Sequence, residues 1–73
     1  MDSLRFSRHA KNKRRRYGLS SSEPSRLLAQ PSATGQDGCG NAIFEGEIRG
    51  LRIRIVLAGD DPSYVITITE RRK

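Results

Sequence analysis

Residues 51–69 read LRIRIVLAGDDPSYVITIT, and this stretch decides the fold. In Leu51–Ala58 the apolar side chains Leu51, Ile53, Ile55 and Leu57 alternate with Arg52 and Arg54. Successive side chains of a strand point to opposite faces, so this alternation predicts a strand over 51–58 with one buried and one wet face. Tyr64–Thr69 repeats the pattern and predicts a strand over 64–69, with Ile66 and Ile68 inward and Thr67 and Thr69 outward. Between them, Gly59-Asp60-Asp61-Pro62-Ser63 has the residue types of a turn.

Upstream, Ala42–Ile48 (AIFEGEI) predicts a further strand over 43–48, and Arg49-Gly50 a tight turn with glycine at a permissive position. Three strands joined by short turns make a three-stranded antiparallel β-meander. Before it, Ser32–Asn41 (SATGQDGCGN) reads as a flexible loop over 32–41. Gly35, Gly38 and Gly40 precede neither a Lys-Ser/Thr pair nor a helix signal, so they do not make a phosphate-binding loop.

The first third of the chain is helical in character. Ser7 can cap a helix through its hydroxyl, and Arg8–Tyr17 (RHAKNKRRRY) holds no Gly or Pro. Gly18 then stands where helices commonly end in a left-handed residue. A helix is predicted over 8–17, with an apolar stripe of only Ala10 and Tyr17. Ser20-Ser21-Ser22-Glu23 fits a capping box, Pro24 suits a first turn, and Pro31 is a stop, which predicts a short helix over 22–30 anchored by Leu27 and Leu28. The expected architecture is one α+β domain over 1–73: two N-terminal helices in a basic segment 1–31, the loop 32–41, and a meander over 42–70 (ααβββ). Its expected core is Leu4, Phe6, Leu27, Leu28, Phe44, Ile48, Ile53, Ile55, Leu57, Ile66 and Ile68. A chain of 73 residues that is 34% hydrophobic affords one modest core, and any active site must be a surface groove.

The net charge is +6, and its placement matters more than its size. Residues 1–26 hold eight Lys/Arg against two acids, whereas residues 27–73 hold six against six. The whole excess lies in the first third, which points to a polyanionic partner, RNA before others. Within the predicted helix Arg8, Lys11 and Arg15 share one face, Arg16 sits beside them, and Lys13 and Arg14 flank the stripe. Four consecutive cations, Lys13 to Arg16, repel one another unless an anion is present. Arg52 and Arg54 on the outer sheet face could extend a nucleic-acid-binding surface, or pair across the hairpin with Glu47 and Glu45. Scarce aromatics (5%) favour backbone or shape contact over base stacking.

Other classes have little support. One cysteine, Cys39, excludes an intrachain disulfide. One His and one Cys are too few for a zinc site, so no metal and no cofactor are expected. MDSLRFSRHA lacks the apolar stretch of a signal peptide, and the longest apolar run is far too short to span a bilayer, so a cytoplasmic, membrane-free protein is expected. His9, the sole histidine, is the natural candidate for general acid–base chemistry, although a lone histidine is more often structural.

The segments LRFSRHAKNKRRRYGLSSSE (4–23) and GEIRGLRIRIVLAGDDPSYVITITE (46–70) together resemble a family of small prokaryotic proteins, a domain-of-unknown-function family. That family opens with (S/T)-R-H-A…R…R-x-G-(I/L)-(S/T) and closes with a (V/I)-I-T-(V/I) strand. Its layout is similar to the RelE-like and BrnT-like toxin ribonucleases. Ser7-Arg8-His9-Ala10 matches the opening, Arg16 and Gly18 the R-x-G, and Thr67 the final-strand threonine. The chain departs from the pattern in its short, Pro24-bearing second helix and in an end, Arg71-Arg72-Lys73, without aromatic or His. The resemblance implies a metal-independent toxin-type endoribonuclease with His9, Arg8, Arg16 and Thr67 at its centre and an antitoxin-like protein partner. Arg8, Arg15 and Arg16 would bind phosphates, and His9 would move a proton between the attacking 2′-hydroxyl and the leaving 5′-oxygen. The alternatives are a non-catalytic nucleic-acid-binding module and a protein-interaction module for an acidic partner. Nothing in the residues sets the oligomeric state.

Overall fold

The computed structural model describes residues 4–20 and 22–70; Met1–Ser3, Ser21 of the expected capping box and the cationic end Arg71-Arg72-Lys73 lie outside them. The element order is β1 (Arg5–Phe6), α1 (Arg8–Arg16), α2 (Glu23–Ala29), β2 (Ala33–Gln36), β3 (Ala42–Ile48), β4 (Leu51–Ala58) and β5 (Asp61–Glu70). The strands form one mixed sheet of five, ordered β1-β5-β4-β3-β2. All neighbours are antiparallel except β1, which pairs parallel with β5 through Arg5 opposite Tyr64 and Phe6 opposite Val65.

The three-stranded antiparallel meander is therefore corrected to a five-stranded mixed sheet. The expected loop 32–41 holds β2, which pairs with β3 from Ala33 opposite Glu45 to Gln36 opposite Ala42. The cause is the connection. Asp37 donates its backbone N–H to the Asn41 carbonyl (3.0 Å), Gly40 donates to the Asp37 carbonyl (3.2 Å), and Gly40 takes φ +84°. This is the three-residue hairpin in which a turn ends on a left-handed glycine. Asp37 locks it: its carboxylate accepts from the N–H groups of Cys39 (2.8 Å) and Asn41 (2.9 Å) and from the Asn41 side-chain amide (3.0 Å). These bonds, led by those from Asn41, hold the Asp37 carboxyl below its ordinary value.

The three expected strands form, but β5 shifts register against β4 twice, between Val56 and Leu57 and between Leu57 and Ala58. The β5 strand starts at Asp61, inside the expected turn, and pairs out of step: Leu57 faces Val65 and Val56 faces Thr67, so Ile66 is the extra residue of a bulge. Val65 is consequently the buried residue, and Ile66, expected in the core, is only half-buried. The core is Ala10, Leu19, Leu27, Ile48, Ile53, Ile55, Leu57, Val65 and Ile68, with Leu4, Phe6, Leu28 and Phe44 packed at its margin. Burying an aliphatic side chain of this size contributes about 1.5–3 kcal/mol, so Ile53, Ile55, Val65 and Ile68, each at most 1% exposed, carry the centre.

Both helices lie on one face of the sheet, α1 against β5 and α2 against β3. The second helix can approach because Gly46 has no side chain: a Cβ there would stand 2.8 Å from Leu27 Cγ. The expected capping box does not form: the helix starts at Glu23 after Ser22, whose side chain makes no capping bond, and only Glu23 Oε1 reaches back to accept from the Ser20 N–H at 2.7 Å. Among the described residues no helix covers the other face of the sheet, which by alternation carries Ile43, Glu45 and Glu47 of β3, Arg52, Arg54 and Val56 of β4, and Thr67 and Thr69 of β5.

Candidate nucleic-acid interface

The first helix is positioned from both ends. At its start the Ser7 hydroxyl accepts from the Ala10 N–H (3.0 Å) and donates to the Ile66 carbonyl (2.6 Å), while the Ser7 N–H donates to the Val65 carbonyl (3.0 Å). Ser7 thus caps α1 and ties it to the bulge of β5, which leaves its hydroxyl no free role in chemistry. At its end Gly18 adopts φ +68°, its N–H reaches the Arg15 carbonyl and the Leu19 N–H reaches the Arg14 carbonyl (3.1 and 3.0 Å). This six-to-one closure is the Schellman motif, whose apolar residue after the glycine tucks under the helix. It buries Leu19, which period counting alone did not place in the core.

Between these anchors the helix has one buried residue, Ala10. A turn of 100° per residue then settles where every cation goes. Lys13 and Arg14 border the sheet side and are half-buried. Arg14 lies over the Phe6 ring at 5.1 Å, with a buried Nε that finds no hydrogen-bond acceptor, and the Lys13 ammonium stands 6.0 Å from the Tyr17 ring. Arg8, Lys11, Arg15 and Arg16 are exposed, as are His9 and Asn12.

Among the described residues no carboxylate pairs with this stripe. The ion pairs among the described residues are Arg5 with Asp61, Arg49 with Glu23 (3.0 Å) and Arg54 with Glu45 (2.9 Å), none of them on α1. Arg49, which sits in the β3–β4 turn at φ +50°, also donates to the Gly18 carbonyl, so it clips the end of α1 to the start of α2. From Arg8 to Arg16 the stripe runs about 12 Å at 1.5 Å per residue.

The remaining candidates fall elsewhere. Arg52 and Arg54 are on the bare sheet face, opposite to the helices. Arg54 is held by Glu45 through both Nε and Nη2 at 2.9 Å, and Arg52 is exposed opposite Glu47. Thr67 also belongs to the bare face, opposite Val56, with the sheet between it and α1. Arg8 and His9 are neighbours, Arg16 is two turns away, and Thr67 lies across the sheet, so the four do not converge on one phosphorus atom. A groove of about 290 Å³ runs between α2 and β3, lined by Glu23, Arg26, Leu27, Glu47 and Arg49 among others. Its charges are of both signs, and its Glu23 already pairs with Arg49.

Among the described residues no three of His, Cys, Asp and Glu gather as metal ligands, and no helix is long and apolar enough to cross a membrane. No protein-family model matches the chain, and neither a curated protein nor a solved structure matches it.

Proposed function

We propose that this chain binds RNA along α1 through the phosphate backbone, as a module of the cytoplasm. The observation that carries the reading is the stripe of Arg8, Lys11, Arg15 and Arg16, exposed and, among the described residues, without a carboxylate partner. Four cations on one side of a helix repel one another, and a phosphate chain relieves that repulsion while releasing its own counterions. With about four phosphates neutralised on a single strand, the logarithm of affinity falls against the logarithm of salt concentration with a slope of about −3. Fluorescence anisotropy with a labelled RNA across a salt series measures it. A slope near zero sinks the reading and leaves a protein-interaction module for an acidic partner.

A second reading, the metal-independent endoribonuclease with an antitoxin-like partner, rests on His9, an exposed imidazole next to Arg8. Incubating total RNA with the protein in EDTA, wild type beside His9→Ala, decides it. Cleavage that the substitution abolishes establishes the nuclease. Intact RNA in both lanes leaves a binder, for which His9→Ala changes affinity little.

A further inference from the structure

The sheet has two edges of different kinds. At one, β1 is two residues long and pairs with β5. At the other, β2 offers four residues, Ala33-Thr34-Gly35-Gln36, all exposed, with no charge and no proline. Natural edge strands are usually protected by charge, proline or a covering segment, and this one has none of these along its length.

The hairpin bond from the Asp37 N–H to the Asn41 carbonyl sets the phase of the β2–β3 ladder. In an antiparallel pair, hydrogen-bonded and non-hydrogen-bonded residues alternate. Asp37 spends its backbone groups within the turn, Gly35 and Ala33 therefore spend theirs on β3, and those of Thr34 and Gln36 project from the open edge. Nothing lies within 4 Å of the position a Gly35 Cβ would take.

We propose that two copies of this chain pair antiparallel through β2, about a two-fold axis at Gly35. Thr34 of each copy exchanges both backbone hydrogen bonds with Gln36 of the other, and the two Gly35 residues face each other where the strands come closest. A non-hydrogen-bonded pair brings Cα atoms to about 4.5 Å, and glycine has no side chain to oppose that approach. The arrangement is self-complementary: each edge supplies the donors and acceptors that the other lacks.

Charge permits a second copy at this edge. The basic stripe lies over β5, three strand spacings from β2. Across the proposed junction the two stripes are about seven spacings, roughly 34 Å, apart, several times the Debye length at physiological salt. The charge of the stripe therefore opposes association little here. On the helix side, Phe44, opposite Thr34, is half-buried, and a neighbouring sheet covers it further. An RNA-binding role is not required for any of this. If α1 does bind RNA, the two stripes end on the same face of one continuous sheet.

Sedimentation velocity over a concentration series, in high salt so that no polyanion bridges copies, tests the pairing. The wild type is expected to pass from 8.2 kDa toward double that mass as concentration rises. Thr34→Pro removes one outward N–H without touching the ladder to β3, and is expected to stay monomeric. Gln36→Lys sets two like charges beside the axis and is expected to do the same, so the pair of variants decides even where the proline variant fails to fold. In the dimer, the amides of Thr34 and Gln36 exchange with deuterium more slowly than in the dilute monomer. A wild type that is monomeric throughout, or a dimer that survives both substitutions, overturns the proposal. Binding of an added extended peptide at β2 without self-association overturns it too.

Discussion

Arg14 and Arg15 are adjacent in sequence, yet α1 turns the first onto the Phe6 ring and the second into solvent. Arg15→Ala is expected to weaken RNA binding and to make the salt slope about one unit shallower, as loss of one phosphate contact does. Arg14→Met keeps the cover over Phe6 and removes a buried Nε without an acceptor. It is expected to leave the slope unchanged and stability within about 1 kcal/mol of wild type, measured by urea unfolding. Asp37 gives a prediction in pH. Its folded-state carboxyl lies below the ordinary 3.8, held there first by the Asn41 backbone N–H and then by the Asn41 side chain. A carboxylate depressed in the folded state contributes stability that is fully present above the unfolded value and lost as pH falls through the folded one. The hairpin should therefore weaken in acid below about pH 4, and Asp37→Asn should flatten that part of the stability–pH curve. Gly59 is constrained by backbone, not by side chain. A Cβ there would meet the Gly40 carbonyl oxygen at 2.5 Å, whereas at Gly46 it meets the movable Leu27 at 2.8 Å. In thermal melts Gly59→Ala should lose more stability than Gly46→Ala, because a side chain can change rotamer and a hairpin carbonyl cannot.

At the scale of elements, the joint between α1 and β5 is the one on which the RNA reading depends. Ser7 satisfies a free N–H of the helix and a carbonyl of the bulge with one hydroxyl. Ser7→Ala is expected to cost about 1–2 kcal/mol in urea unfolding, the value of a lost cap, while leaving the cations in place. The helices and the long strands were legible because their signals are local: Gly18 after a run without breakers, Pro24 early and Pro31 late, and the alternation of Leu51–Leu57. The two edge strands were not. Arg5–Phe6 is too short to have a period, and its parallel partner lies some sixty residues away in sequence. Ala33–Gln36 buries no side chain, so it has no apolar pattern to read; it is a strand because β3 has a free edge and the Asp37-to-Asn41 turn returns the chain to it. A signal did exist in Asp37-Gly38-Cys39-Gly40-Asn41, where glycine holds the left-handed third position of a hairpin loop. Ile66 shows the opposite failure, a strong local pattern overruled by a bulge. In the candidate site, the cations were plain from composition, but which of them are free depends on the helix phase set by the burial of Ala10.

Considered whole, the molecule is a sheet buried at its middle and thin at one side. The β4 strand lies between β3 and β5 with Ile53, Ile55 and Leu57 buried, and α1 and α2 flank that line without covering β2. Opening costs should follow this gradient, since local unfolding is cheapest where few apolar contacts are lost. Amide exchange on the dilute monomer should therefore be slowest in β4 and in β5 around Val65 and Ile68, and these amides should report the global unfolding free energy. The amides of Gly35, bonded only to β3, and of Asp37, bonded only to Asn41, should exchange faster, and those of Thr34 and Gln36 fastest within the sheet. Parallel pairing of β1 with β5 adds a separate expectation. Because Ser7 and Phe6 hang on β5 through Val65 and Ile66, α1 cannot leave the sheet without loosening β1. The amides of α1 and of Phe6 should open together, at one free energy, as urea is raised. If α1 instead exchanges freely while β1 stays protected, the basic helix is only loosely seated, and the cation stripe is a mobile arm and not a face of the fold.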